Sequence, residues 1–414
     1  MNKPWLAFVE SNTSGTGPLF IRAAGASGFR PILLARDSSR YGFVAHEQIE
    51  AALVDTHDDQ AVHDACSKLA KQGGLAGITS SSEYFIATAA RVARDLGLSG
   101  PDPVAVQSCR DKRKQRRRLE RAGVAVPQFR SASSVKAALI AAREMGFPLV
   151  VKPVCGSGSV GVKLCRSADE LRDHAAALLK QRYNERGMLT PHGILLEELV
   201  AGPEFSVETF DDQVVGITEK HLGEPPYFIE IGHDFPALLS ETVENVISRT
   251  ALDALRALGL GWGPAHTELR MTERGPTIIE VNPRLAGGFI PELVRKAQGI
   301  DLIAETIKRV VGQHPIIQKL RHRYASIRFL LPDRDGALLA VERLDTIREI
   351  PGVEEARLYL KPGESVKRRG DFRDRIGHVI STSDYAEDAR NAVQRAWGLL
   401  RMRIESETIA AAGG

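Results

Sequence analysis

Two periods of hydrophobic spacing alternate along this chain, and each change of period marks an element. Trp5–Val9 is an unbroken apolar run that leads into SNTSGTG and then PLFIRAAGASG. That order predicts a buried strand, a glycine turn and a helix, with Pro18 suited to the first helical turn. RPILLARD predicts the next strand, and GLAGITSSSEYFIATAARVARDLGL a further strand–turn–helix unit. Alternation of this kind over about 100 residues predicts a parallel α/β domain.

SGPDPVAV breaks the pattern and places a boundary near residue 104. RDKRKQRRRLERAG then predicts a basic helix ending at Gly123, ASSVKAALIAAREMGFP a helix, and PLVVKPV and VKLCR two strands. In SADELRDHAAALL, Ser167 and Glu170 have the spacing of a capping box. GILLEELV and FSVETFDDQVVGITEKH read as strands with a turn at Asp211-Asp212, AHTELRMTERGPTIIEVNPR as a hairpin, and PELVRKAQGIDLIAETIKRVVG as helical. The remainder mixes short strands (YASIRFLL, EARLYL, GHVIST) with a closing helix, SDYAEDARNAVQRAWGLLRMR. The expected units are 1–104, 105–200, 201–314 and 315–414.

Composition narrows the function classes. The 414 residues carry a net charge of only +3, which gives no global electrostatic case for nucleic acid or an anionic membrane. The N-terminus lacks a signal-peptide core, no run approaches the length of a membrane span, and four cysteines in no metal-like spacing suit a reduced, cytoplasmic chain. Arg110–Arg121 holds eight Lys or Arg. Without interleaved aromatics for base stacking, it reads as a solvated helix that positions Lys112.

VVKPVCGSGSVGVKL contains Gly156, Gly158 and Gly161 in GxGxxG spacing. A dinucleotide fingerprint needs a helix starting at those glycines, and here Val162 and Leu164 alternate as a strand. The loop therefore joins two strands. Its small residues, Gly156, Ser157, Gly158, Ser159 and Gly161, allow close approach to phosphate oxygens, and Lys152 adds a charge beside them. An ordinary glycine-rich hairpin tip is the alternative for the loop taken alone.

The hairpin carries sharper chemistry. Centred on Arg274, it sets Glu268 opposite Glu280 and His266 opposite Asn282, all on one face. Like charges so opposed repel, so a cation between them is expected. Two carboxylates and the Asn282 amide oxygen suit Mg²⁺ or Mn²⁺, with nucleotide phosphates completing the shell. Arg284 follows at once, placed to hold an anionic oxygen.

These pieces (DK at residues 111–112, VVKP, the Gly/Ser loop, LLEELVAGPEFSVE and HTELR…IIEVNPR) resemble, in order, the ATP-grasp carboxylate–amine ligases. TEKHLGEPPYFIEIGHDFPA is similar to the L-amino-acid ligases, which form dipeptides. The resemblance implies an α/β (α+β) ATP-grasp fold with an N-terminal Rossmann-like domain and a C-terminal mixed α/β domain. It implies ATP, two divalent ions held by Glu268, Glu280 and Asn282, and small-molecule carboxylate and amine partners, a homodimer being compatible with it. A substrate carboxylate would become an acyl phosphate and then an amide. Lys112 and Lys152 match the ATP-phosphate lysines, and residues 156–161 the phosphate-covering loop. Glu197, Glu198 and Val200 match the adenine-reading hinge, and Glu204 the ribose carboxylate. Arg284 would stabilise the acyl phosphate. Glu230 and His233 match a substrate-contacting pair, and Glu83 could hold a substrate ammonium. Gly288 stands where these ligases can carry a bulky residue, which implies a roomier acceptor pocket. An ATP-grasp carboxylase using bicarbonate and a non-catalytic nucleotide-binding regulator are the alternatives.

Overall fold

A computed structural model describes residues 3–405, apart from Ser14 and Glu185. The N-terminal unit runs β1 (Trp5–Val9), α1 (Thr16–Ala26), β2 (Arg30–Ala35), α2 (Gly42–His46), β3 (Glu50–Leu53), α3 (Asp59–Gly73), β4 (Leu75–Thr79) and α4 (Ile86–Asp95). Its sheet is parallel, ordered β3-β2-β1-β4. Every residue of β1 is buried because both faces are covered, which explains the unbroken apolar run. On one face Ala7, Val9 and Leu34 pack with Val62, Cys66 and Val92. On the other, Leu6, Phe8 and Leu33 join Phe20 and Ile21 of α1 in a core that continues into the rest of the molecule.

α5 (Pro103–Cys109) and α6 (Lys112–Arg121) follow. Asp111 caps α6 by accepting from the Arg113 and Lys114 amides. The helix is not the solvated rod expected from its charge: Lys112, Gln115, Arg116 and Leu119 are buried. Their i, i+3, i+4, i+7 spacing puts them on one face. Gln115 stitches that face to the next domain, accepting from the Val281 amide at 2.9 Å and donating to its carbonyl at 2.8 Å.

A small sheet ordered β5-β8-β6-β7 comes next. It is built from β5 (Phe129–Ala132), α7 (Val135–Met145), β6 (Leu149–Pro153), β7 (Lys163–Cys165), α8 (Ala168–Lys180) and β8 (Ile194–Glu198). β6 and β7 are antiparallel neighbours, so the glycine loop is a hairpin tip as its alternation predicts.

β9 (Glu204–Phe210), β10 (Gln213–Leu222), β11 (Glu230–Phe235), α9 (Glu241–Leu258), β12 (Pro264–Thr272), β13 (Gly275–Asn282), α10 (Ile290–Gln298) and α11 (Leu302–Val310) build the main layer. The chain closes with β14 (Tyr324–Leu330), β15 (Gly336–Glu342), α12 (Leu344–Arg348), β16 (Val353–Leu358), β17 (Ser365–Val366), β18 (Gly377–Ser383), α13 (Ala386–Leu399) and β19 (Arg401–Glu405). An eight-stranded sheet, β13-β12-β9-β10-β11-β14-β18-β16, crosses the expected boundary at 314/315 without a break. β14 supplies its bridge, pairing with β11 on one side and β18 on the other. The expected closing helix ends at Leu399, and Arg401–Glu405 forms a strand against β15. No described helix is long and apolar enough to cross a membrane.

Candidate active site

The β12–β13 hairpin forms the floor of the site. Thr272 pairs with Gly275 across the turn, and a register shift between Glu268 and Leu269 then sets Glu268 opposite Glu280 and His266 opposite Asn282. The expected pairing is present, but a bulge creates it and not a turn centred on Arg274.

Each carboxylate of the pair meets an ammonium group. Lys112 Nζ donates to Glu280 Oε1 at 2.6 Å and to the Gly156 carbonyl at 2.8 Å. Burial opposes the Lys112 charge, but the Glu280 carboxylate outweighs it and holds the pKa above its ordinary value. Lys220, absent from the sequence reading, lies 2.7 Å from Glu230, 2.9 Å from Glu268 and 3.3 Å from Glu204. His266 bridges Glu208 at 2.9 Å and Glu268 at 3.0 Å. Burial works against its charge, yet the Glu208 charge and these hydrogen bonds lift its pKa to about 9. Glu268, Glu280 and Asn282 line one cleft. Three hard oxygen donors on one face fit a divalent cation of the Mg²⁺ kind.

One wall of the cleft comes from the small sheet. Glu197 extends a carboxylate, not only backbone, into a buried triad, with Arg116 Nε and Lys152 Nζ each at 2.6 Å. Burial, reinforced by the Arg116 and Lys112 charges, pulls the Lys152 pKa below its ordinary value despite Glu197. The expected hinge is partly occupied: the Glu198 amide donates to Gln128, and the Val200 carbonyl accepts from Arg270 at 2.8 Å. Glu204 takes Arg270 Nε at 3.0 Å. Glu198, Leu199, Val200 and Glu204 all line the cleft.

The glycine loop roofs it. Gly156, Ser157, Gly158 and Ser159 face the cleft, whereas Gly161 turns toward Leu178 and Pro153. Ser159 Oγ donates to the Phe228 carbonyl at 2.9 Å, and the Phe372 amide to the Gly158 carbonyl at 3.3 Å. Gly158 has φ +63°, and a Cβ there would overlap the Phe372 ring.

A second, larger cavity of about 480 Å³ lies between this cleft and the N-terminal domain. Ser157, Gly158, Glu230, Glu268 and Arg284 border both spaces, so the two adjoin. Arg284 Nη2 pairs with Glu83 at 2.7 Å. Burial would raise the Glu83 pKa, but the cationic charge of Arg284, Arg110 and Lys112 holds it below the usual carboxylate value. Glu230 is shared by Lys220 and Arg375, the latter at 2.7 Å.

Two substrate expectations change here. His233 is 0% exposed and stands behind Glu230, with Nε2 3.6 Å from its carboxylate; the ring packs edge-on to Phe329 and does not border either cavity. Gly288 does line the larger cavity, but a Cβ on it would meet His233 Nε2 at 2.5 Å. The space next to Gly288 is filled by the imidazole, so the glycine does not by itself enlarge the pocket.

Lys220, Arg116, Arg270 and Arg375 were not identifiable as site residues from their local patterns, except that Arg116 shares the inward stripe of α6. The others are joined to the site only by strand pairing or by the loop before β18.

Residues 145–292 match the ATP-grasp domain, and residues 328–405 the L-amino acid ligase C-terminal domain 2. The uncharacterized protein y4rH of Sinorhizobium fredii is 42% identical over 389 residues, covering 93% of this chain and 80% of that protein. Alanine–anticapsin ligase of Bacillus amyloliquefaciens is 28% identical over 273 residues, 60% of this chain and 57% of that ligase. The crystal structure of an L-amino acid ligase from Bacillus licheniformis superposes with a TM-score of 0.80 at 21% identity, covering 98% of this chain and 99% of that one, a likeness of fold.

Proposed function

Because this chain belongs to the ATP-grasp carboxylate–amine ligases of the L-amino-acid-ligase type, we propose that it activates an organic acid with ATP and couples it to the amine of an amino acid or similar compound, releasing ADP and phosphate. One observation carries the detailed reading. The cleft holding Lys112, Lys152, the glycine loop and the Glu268/Glu280 pair adjoins the larger cavity, with Arg284 in the lining of both.

In this reading ATP lies in the inner cleft, its phosphates under Gly156–Ser159 and beside Lys112 and Lys152. Glu268, Glu280 and Asn282 would hold Mg²⁺ or Mn²⁺, two ions, and the metal would supply charge neutralisation of the phosphates. The substrate carboxylate sits at the junction of the two spaces and attacks the γ-phosphorus. Positioning and charge stabilisation dominate such a transfer, so no protein nucleophile is required. Arg284 stabilises the acyl phosphate and then the tetrahedral oxyanion formed when the amine attacks. Glu83 and Glu230 offer carboxylates to a substrate ammonium. Phosphate leaves as the amide forms. His233 supports Glu230 from behind. The four free thiols suit a cytosolic setting.

A matrix of donor acids against acceptor amines, read by phosphate release and product mass, tests the reading. ADP release that needs both an organic acid and an amine supports it. Turnover with bicarbonate alone points to a carboxylase, and background rates across the matrix to a regulator. Glu280→Gln is expected to abolish ADP formation with the fold retained; full activity in Mg²⁺ would remove the metal assignment.

A further inference from the structure

The larger cavity carries a cation, Arg186, to which the ligation reading gives no role. Arg186, on the loop between α8 and β8, reaches from the small-sheet unit to the N-terminal domain and lines the cavity. Its guanidinium donates to the Ser11 carbonyl at 2.7 Å and to the Tyr41 hydroxyl at 3.2 Å. Both partners are neutral, and among the described residues no carboxylate pairs with it. The buried acid behind Tyr41, Glu10, is already engaged by the Tyr41 and Thr56 hydroxyls and the Arg36 amide. A guanidinium has five N–H donors, and two of those on Arg186 are engaged by these described partners.

Its position is one where open parallel sheets bind ligands. The carboxyl ends of β1 and β4 flank the point where the strand order reverses, and the crevice between them is a customary binding place. Ser11 Oγ and Ser81 Oγ lie 2.9 Å apart, and Asn12 Nδ2 donates to the Ser81 carbonyl at 2.8 Å, so the crevice floor is tied together. α1 begins there with no side-chain cap and no acidic residue in its first turn, an arrangement that favours negative charge. Among the described residues that line the cavity, four arginines face three glutamates.

We propose that Arg186 reads a second anionic group, a carboxylate or a phosphate, on the substrate seated against the N-terminal domain. An acid or amine with an anionic tail is then preferred over its neutral counterpart. The inference rests on the ligase reading above and narrows it to a substrate class. A planar guanidinium with two neutral partners can still accept a carboxylate or phosphate in bidentate fashion, which an ammonium cannot reproduce.

Matched pairs test it: aspartate against asparagine, glutamate against glutamine, and O-phosphoserine against serine. Each is offered with a panel of co-substrates, and its binding is also measured by calorimetry in the presence of ADP and Mg²⁺. The wild type is expected to favour the anionic member of at least one pair by about tenfold or more in kcat/KM and in affinity. The carboxylate and phosphate arms then identify the group. Arg186→Gln should lower kcat/KM for the anionic member by on the order of ten- to a hundredfold more than for the neutral one, and Arg186→Lys should recover only part of the loss. Equal losses for both members, with Tm held, would mean that Arg186 merely latches two domains, and would overturn the proposal. So would a wild type that ranks no pair, a measurement that needs no variant. Calorimetric preference without any turnover would leave this inference standing and defeat the ligase reading. Turnover without preference would do the reverse.

Discussion

Lys220 Nζ stands within 3.3 Å of three carboxylates, those of Glu204, Glu230 and Glu268, each from a different strand. The lysine is buried, and although burial disfavours its charge, the three glutamates hold its pKa well above the ordinary value. It thereby joins the edge of the inner cleft, the hairpin floor and the larger cavity through one cation. Lys220→Met is expected to lower stability by about 3–5 kcal/mol, because the carboxylates lose their counter-charge. Denaturant unfolding checks the stability. The kcat should fall as well, since Glu268 and Glu230 repel one another once the ammonium is gone.

Lys152 differs from Lys112 in how its charge is supported. Burial and two neighbouring cations work against it, with Glu197 as its carboxylate partner. Lys152→Ala should raise the ATP KM or lower kcat by about tenfold or more, the loss of a charge-assisted phosphate contact. Unchanged steady-state kinetics would remove it from the site.

The glycine loop is docked through Gly158 against Phe372, on the segment that also carries Arg375 to Glu230. Phe372→Ala should loosen the loop and raise the ATP KM several-fold with little change in Tm, because the ring is half exposed. Limited proteolysis at residues 156–161, with and without a non-hydrolysable ATP analogue, reads the loosening directly. Equal cleavage in wild type and variant would separate the ring from loop closure.

Gly288 has φ +58°, and a Cβ would press on the His233 ring. Gly288→Ala is therefore expected to destabilise by about 1–3 kcal/mol and to disturb Glu230 through His233. Thermal unfolding and the KM of the amino-acid-like substrate are the readouts. A stable variant with unaltered KM would show that the imidazole yields freely.

Burial drives the His233 pKa down to about 3, with the Arg375 and Lys220 charges acting in the same direction against Glu230. The ring stays neutral in the folded chain while the unfolded chain protonates below about 6.5. Its contribution to stability is thus complete above about pH 6.5 and is lost as pH falls from there toward 3. The Tm advantage of wild type over His233→Asn should narrow as pH is lowered from 7 to 4. A constant difference would contradict a neutral buried ring.

Much of the fold was legible because local pattern encodes it. Apolar runs and glycine turns marked β1 and β4, and alternation at Val162 and Leu164 excluded a helix after the glycine loop. The pairing of Glu268 with Glu280 followed from strand periodicity, although a bulge sets the final register. The α6 stripe was present in the spacing of Lys112, Gln115, Arg116 and Leu119 but was masked by its many charges. Charge density says nothing of which face a helix buries.

What the sequence by itself determined was the class of chemistry. Two opposed carboxylates with an amide and an arginine, downstream of a small-residue loop and Lys152, pointed to a divalent cation and nucleotide phosphates, and the resemblance to the ATP-grasp ligases implied phosphoryl transfer. Only the tertiary structure decided which charges share a site. Lys220, Arg375, Glu83 and Arg186 come from distant segments, and their roles arise from strand order and domain packing. It also set His233 behind the cavity and filled the space beside Gly288. The physical reason is that local spacing governs backbone periodicity, whereas an ion pair or a cavity depends on which faces meet after burial.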